Sequence, residues 1–247
     1  MNLSGVARGA GVSEPTVIRF ARKLGSSGFP SFKIRLAQDL ATQRPYVPQE
    51  VDFNDTLPVI FEKVLSSNII GLGALRQSID LDLLAAAVDR VANADRIFIF
   101  AEGLSSSLVA ADLQRKLIFL QVNSLFYPEI PLQVLSATNM SESDMSICIS
   151  LTGYNKHVLN CARLAAANGS DVISITRSGT DLSDISTVLL SVDTVENVYW
   201  YTQVATRLAQ LTVIDILSTG IALRRGPRIR EAVKSLKETT KSAVGTG

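Results

Sequence analysis

After residue 93 the chain changes its period. RIFIF (Arg96–Phe100), SLFY (Ser124–Tyr127), MSICIS (Met145–Ser150), DVISIT (Asp171–Thr176) and TVLLSV (Thr187–Val192) are short apolar runs rich in β-branched and aromatic residues. Helical patterns separate most of them. Strands that alternate with helices predict an α/β domain, a parallel sheet with helices on both faces. Such a sheet offers ligands one place above all, the carboxyl ends of its strands. A long amphipathic stretch, about Val198–Leu223, and a polar helix close the chain, and no internal repeat interrupts this order.

The chain before residue 93 reads differently. Helical stretches are expected at about Leu57–Gln77 and Leu81–Asn93, and everything ahead of Thr42 also looks helical. Between them, TQRPYVPQEVDFN (Thr42–Asn54) has two prolines and few core-forming residues. It reads as a boundary. The expected division is a small all-α module over residues 1–44, a linker over 45–55 and the α/β domain over 56–247.

Charge separates the same two parts. The net charge is +1, yet residues 1–44 hold seven basic residues (Arg8, Arg19, Arg22, Lys23, Lys33, Arg35, Arg44) against Glu14 and Asp39, which is +5 and leaves −4 for the rest. A basic head on an acidic body points to a polyanion as the head's partner.

Within the head, ARGAGVSEPTVIRF ends one helix, turns at Gly11 and starts another. Ser13 is placed to cap the second helix, and Pro15 in its first turn costs little. Val17, Phe20, Ala21 and Leu24 recur at helical spacing and are expected to form one buried stripe. Glu14, Thr16, Arg19, Arg22 and Lys23 are left outward. Helix, glycine turn and short helix with a polar, basic outer face is the helix-turn-helix layout, whose second helix enters the major groove. An ordinary helical hairpin with a solvated basic face is the plain alternative, and the complete turn signature argues against it. GFPSFKIRLAQDL (Gly28–Leu40) follows, with Ser31 expected as its cap and Phe32, Leu36 and Leu40 packing back. Lys33 and Arg35 are expected on phosphates, where they hold register without reading sequence.

The stretch GVSEPTVIRFARKLGSSGFPSFKIRLA closely resembles the N-terminal domain of RpiR-type transcriptional regulators, nearest to the hex-type regulators of glucose catabolism. The resemblance implies operator contacts by Ser13, Glu14, Thr16, Arg19, Arg22, Lys23, Lys33 and Arg35. Such regulators carry further helices before this point, whereas Met1 falls at the start of the motif's first helix. The module is therefore expected to be incomplete at its N-terminus and to bind DNA poorly.

Two loops in the α/β domain carry phosphate chemistry. FIFAEGLSSSLVAADLQRKL (Phe98–Leu117) runs strand, Gly/Ser loop, helix, and ICISLTGYNKHVLNCA (Ile147–Ala162) repeats the plan with Ser150, Thr152, Gly153 and Asn155. Backbone N–H groups and hydroxyls at a helix N-terminus suit an anion. One such loop is weak evidence. Two at the same sheet edge are stronger. Together with Glu196 and TRLAQLTVIDIL (Thr206–Leu217), they resemble a sugar isomerase (SIS) domain, which implies a five-stranded parallel sandwich. That family's loops read Gly-x-Gly-x-Ser and Ser-x-Ser/Thr-Gly-x-Thr. Gly103, Ser105, Ser150, Thr152 and Gly153 match, while Ala101 replaces the first glycine and Asn155 the final threonine. The resemblance implies that Gly103, Ser105, Ser106, Ser150, Thr152, Gly153, Asn155 and Glu196 surround a phosphosugar.

Other features have plain readings. GLGALR (Gly71–Arg76) lies inside a helical pattern and reads as punctuation, not as a nucleotide loop. His157 is expected at the rim. Cys148 and Cys161 are expected as buried free thiols of a reducing cytoplasm, and no Cys/His spacing suits a metal. No signal peptide is expected, and the apolar stretches read as too short to span a membrane. No cofactor is implied.

Two functions compete. One is a cytoplasmic, homodimeric transcription factor whose operator binding is controlled by a phosphosugar; the hex-type resemblance implies 2-keto-3-deoxy-6-phosphogluconate. The other is a phosphosugar isomerase, since fold does not settle function. An aldose–ketose isomerase needs a positioned base, and Glu196 is the only obvious candidate, with binding a hydroxyl or holding structure as equal alternatives for it. The basic head is surplus to an enzyme, so the regulator is expected. The apolar stripe of Val198–Leu223 is expected to help form the dimer.

Overall fold

The computed structural model describes residues 3–34, 51–194 and 204–244. The chain forms two compact units, Met1–Val47 and Pro48–Gly247.

In the first unit, α1 (Leu3–Gly9) and α2 (Glu14–Lys23) flank a turn in which Gly11 has φ +64°. Residues 29–34 are again helical. Ala7, Val17 and Ala21 form the small buried centre. Two residues of the expected stripe depart from it. Phe20 and Leu24 stay 56% and 49% exposed, and Phe20 meets Phe32 edge-on with ring centroids 5.9 Å apart. In a unit this small, alanine and valine fill the helix crossing, and the larger side chains are left on its rim. Ser13 does hold the N-cap position, but its hydroxyl pairs with the Thr16 hydroxyl at 2.9 Å and leaves the backbone uncapped. Ser31 sits inside its helix instead of capping it: its Oγ accepts from Gly28 N at 3.2 Å, the backward half of a capping box. Arg35, Leu36 and Leu40 lie outside the described residues.

The second unit is a five-stranded parallel sheet in the order β2-β1-β3-β4-β5. Its strands are β1 (Arg96–Ala101), β2 (Ser124–Phe126), β3 (Asp144–Ile149), β4 (Asp171–Thr176) and β5 (Val188–Ser191). The helices are α3 (Leu57–Ser78), α4 (Leu81–Asn93), α5 (Leu104–Phe119), α6 (Ile130–Thr138), α7 (Lys156–Ala167), α8 (Asp181–Ile185), α9 (Val204–Arg225) and α10 (Arg228–Val244). Both faces of the sheet are buried, which is why the strands lack polar alternation. Ile97, Ile99, Ile147, Ile149, Ile173 and Ile175 share one core with α4, α5 and α9. Phe98, Phe100, Cys148 and Val172 share the other with α6, α7 and α8.

The apolar stripe of α9 is spent inside this unit: Ala209, Val213, Ile214, Leu217 and Ile221 are all in the first core. The expectation that this stripe serves the dimer is therefore corrected. An exposed apolar face lies on α3, where Leu57, Phe61, Leu65, Ile69 and Leu72 face outward. The opposite side of α3 docks on α9, and a Cβ at Gly71 would stand 3.1 Å from the Ala205 Cβ. Gly71 is thus a close helix contact within an uninterrupted helix. The expectation on membrane length also needs correction. Leu57–Ser78 and Ala205–Arg225 are long and apolar enough to cross a membrane by length and composition; the second is a core helix of the sheet unit.

At the amino ends of the strands, Asp144 accepts from Arg96 Nε and a terminal guanidinium nitrogen at 2.7 and 2.8 Å, and from Ser141 N at 2.8 Å. The Arg96 hydrogen bonds outweigh the desolvation of Asp144 and hold its carboxyl down at about 2. Cys148 and Cys161 are free and buried; burial raises both thiols, Cys161 to about 11, so neither is a ready nucleophile.

Candidate functional site

Strand order reverses between β1 and β3. β1 is followed on one side by β2 and on the other by β3, so the connections leaving them diverge to opposite faces and open a crevice. Ala101 and Ile149, the last residues of the two strands, are register partners. The two Gly/Ser loops therefore leave the sheet side by side at its switch point.

The first loop is short and enters α5 at once. Gly103 stands at the N-cap with φ +91° and ψ 159°, a conformation that side-chain-bearing residues rarely adopt. Its missing Cβ faces open space. Gly103 has no side chain with which to cap α5, so the first-turn N–H groups open toward the crevice with the positive end of the helix dipole. Ser105 is half-buried, Ser106 is buried and Leu104 is fully open to solvent.

The second loop is braced by its own side chains. Ser150 is buried, and its Oγ accepts from Gly153 N at 3.0 Å, which leaves the hydroxyl proton free to donate. Thr152 is exposed, and its Oγ1 accepts from Tyr154 N at 3.3 Å. Gly153 has φ +75° and is pressed against Thr180, the N-cap of α8. Asn155 is the N-cap of α7, accepting from His157 N at 3.1 Å and Val158 N at 3.0 Å. Its role is thereby narrowed. The Asn155 carbonyl oxygen occupies the α7 amides, so only its Nδ2 remains for an anion. His157 is exposed on α7. Glu196 lies outside the described residues.

Two buried amides that the sequence reading passed over hold the ends of these strands. Gln133 on α6 accepts from Ala101 N at 3.1 Å and donates to Ala101 O at 2.9 Å and Tyr127 O at 2.8 Å. Gln210 on α9 donates to Ser150 O at 3.3 Å and Ile175 O at 3.4 Å. The available signal was a glutamine inside an otherwise apolar helical pattern, in IPLQVLSAT and again in RLAQLTVI. In the first unit, Glu14, Arg19, Arg22, Lys23 and Lys33 are all exposed, while Thr16 is half-buried. An Arg19 terminal guanidinium nitrogen lies 3.4 Å from Thr16 Oγ1. The outward face is thus basic and solvent-facing, as a groove-reading helix requires.

A helix-turn-helix unit joined to a doubly wound sheet with an anion-binding edge defines a class, the DNA-binding protein with a small-ligand sensor. Residues 1–43 match the helix-turn-helix domain of the rpiR family, and residues 90–219 match the SIS domain. The chain is 38% identical over 242 residues to the HTH-type transcriptional regulator HexR of Escherichia coli (strain K12), covering 98% of this chain and 83% of that protein. HexR of Pseudomonas aeruginosa is 34% identical, over 96% of this chain and 83% of its own length. Among solved structures, the Vibrio vulnificus NanR protein complexed with ManNAc-6P superposes with TM-score 0.69 and 26% identity, covering 100% of this chain and 88% of that one. The chain belongs to the RpiR family of helix-turn-helix transcriptional regulators that carry a SIS domain.

Proposed function

We propose that this chain is a cytoplasmic, homodimeric regulator of sugar catabolism genes whose operator binding is controlled by a phosphosugar held between the β1 and β3 loops. Residues 1–44 form the DNA-binding module, 45–55 the linker and 56–247 the effector domain. The observation that carries the reading is the pairing of an uncapped α5 N-terminus with the buried Ser150 hydroxyl on neighbouring strands. Together they supply several oriented donors, which suits a phosphate monoester. Ser105, Ser106, Thr152 and the Nδ2 of Asn155 complete the cradle, and Glu196 is assigned to a sugar hydroxyl. The hex-type resemblance of the helix-turn-helix stretch supports 2-keto-3-deoxy-6-phosphogluconate as the effector.

The dimer forms through α3. Its exposed leucines, Phe61 and Ile69 lie within one side of the helix, a stripe wide enough for a helix–helix contact with a second copy. Two recognition helices α2 would then meet two half-sites, with Arg19 at a base edge and Arg22, Lys23 and Lys33 on phosphates. Effector binding selects a dimer geometry that no longer fits both half-sites, which is linkage between two sites.

The basic head weighs against the isomerase alternative. The test is fluorescence anisotropy of duplexes selected from a random-sequence pool, with a chain that also carries the further N-terminal helices of RpiR-type regulators. Binding that micromolar to millimolar 2-keto-3-deoxy-6-phosphogluconate shifts, with no turnover of the sugar, supports the reading. Turnover of the sugar, or DNA binding that no phosphosugar alters, contradicts it.

A further inference from the structure

The two glutamines share a pattern. Gln133 comes from α6 on one face of the sheet, and Gln210 from α9 on the other. Both are buried, and each binds main-chain atoms at the strand end from which one loop departs. β2 stops at Phe126, the partner of Ile99, so Ala101 has no β2 residue beside it. The Gln133 amide takes that residue's place, donating and accepting like a peptide group. On the other strand, Gln210 bridges the carbonyls of Ser150 and Ile175 just past the last β3–β4 pair, Ile149 and Ile175. Gln210 Oε1 is buried and has no hydrogen-bond partner among the described residues. A buried acceptor left unpaired opposes folding and offsets part of what the two donated bonds contribute.

We infer that Gln133 and Gln210 are positioning residues, each fixing one loop of the effector site in its gripping form. Gln133 holds the Glu102–Ser105 turn through Ala101. Gln210 holds Ser150, and through it the Gly153 amide that the Ser150 hydroxyl accepts from. This rests on the phosphosugar reading of the site. It adds that the two loops are set independently, from opposite faces, before ligand arrives.

The test uses the full chain with Gln133→Met and Gln210→Met, which fill the same space without an amide. Amide hydrogen exchange is read without ligand, and affinity for 2-keto-3-deoxy-6-phosphogluconate by calorimetry. Gln210→Met is expected to speed exchange over residues 150–155 and leave 102–105 unchanged; Gln133→Met should do the reverse. Each should weaken binding about tenfold or more, the loss expected when a donor is misplaced. Gln210→Met should lower the melting temperature modestly, because the Ser150 carbonyl loses its donor, but a purely structural role would not confine the change in exchange to one loop. In the wild type, the side-chain amide protons of both glutamines should exchange slowly, a check that needs no variant to fold. Loop exchange unaltered in both variants, or fast exchange of the wild-type side-chain amides, overturns the clamps. A wild-type chain that binds no phosphosugar while the exchange pattern holds overturns the site reading instead.

Discussion

Replacing Gly153 by alanine concentrates the second loop's constraints in one methyl group. The new Cβ would lie 2.5 Å from the Thr180 Cβ and 2.8 Å from its Cγ2, and closer still to Oγ1. Thr180 cannot simply rotate away. Its Oγ1 donates to Arg177 O at 3.0 Å and accepts from Ser183 N at 3.4 Å as the cap of α8. The backbone adds its own cost, since φ +75° at residue 153 strains any side-chain-bearing residue by about 1–2 kcal/mol. Displacing Thr180 and its cap adds about 1–2 kcal/mol, so Gly153→Ala should destabilise the second unit by about 2–4 kcal/mol in urea unfolding. A double-mutant cycle with Thr180→Gly separates the two causes. Glycine at a cap costs only a few tenths of a kcal/mol, and it removes the atoms in collision. The double variant should therefore be less destabilised than the sum of the single ones by about 1–2 kcal/mol. An additive cycle, or a Gly153→Ala protein as stable as wild type, would show that the loop does not have this geometry.

In a chain that also carries the further N-terminal helices of RpiR-type regulators, Arg19→Ala should weaken binding to a selected operator by about 1–3 kcal/mol and relax preference at one base position, while Lys33→Ala should weaken all sequences alike and lower the salt slope by about one, both read by anisotropy. In sedimentation velocity the wild type should run as the proposed dimer and Phe61→Glu, placed in the exposed face of α3, as a monomer with unchanged far-ultraviolet circular dichroism; a monomeric wild type would refute the dimer, and a persisting dimer in the variant would move the interface elsewhere. The Asp144 carboxyl titrates at about 2 when folded and near 3.9 when unfolded, so its ion pair with Arg96 contributes fully above about pH 4 and is lost as pH falls toward 2. The difference corresponds to about 2 kcal/mol at most, since Arg96 is partly open to solvent. Asp144→Asn should lower stability at pH 7 by that order and flatten its decline in acid, as followed by thermal melts at several pH values.

Much of the second unit was legible because burial on both faces forces short continuous apolar runs, and each of the five expected strands is found within a residue or two of its place. Both loops were legible for a related reason. Glycine and serine between a strand and a helix have few explanations other than backbone donors turned outward. What escaped was tertiary. Phe20 and Leu24 follow the helical period, but period does not say whether enough protein stands opposite to bury them. The stripe on α9 was read as surface because its partner, the sheet, is made by residues far away in sequence. The same gap hid Gln133 and Gln210, whose bonding partners lie 32 and 60 residues away, and it hid the reason for Gly153, which is Thr180. The resemblance puts Asn155 against the ligand in place of a family threonine, whereas its position at a helix start already makes it a cap.

The most direct measurement is a calorimetric titration of the full chain with 2-keto-3-deoxy-6-phosphogluconate and with its dephosphorylated counterpart, repeated for Ser150→Ala and Ser105→Ala. A hydroxyl donating to a charged phosphate inside a partly desolvated loop is worth about 1.5–3 kcal/mol. Each variant should therefore lose about tenfold to a hundredfold in affinity without a matching loss of stability, and the unphosphorylated sugar acid should bind weakly to all three proteins. Equal binding of the two sugars by the wild type, or wild-type affinity in both serine variants, would contradict a phosphate held between the β1 and β3 loops.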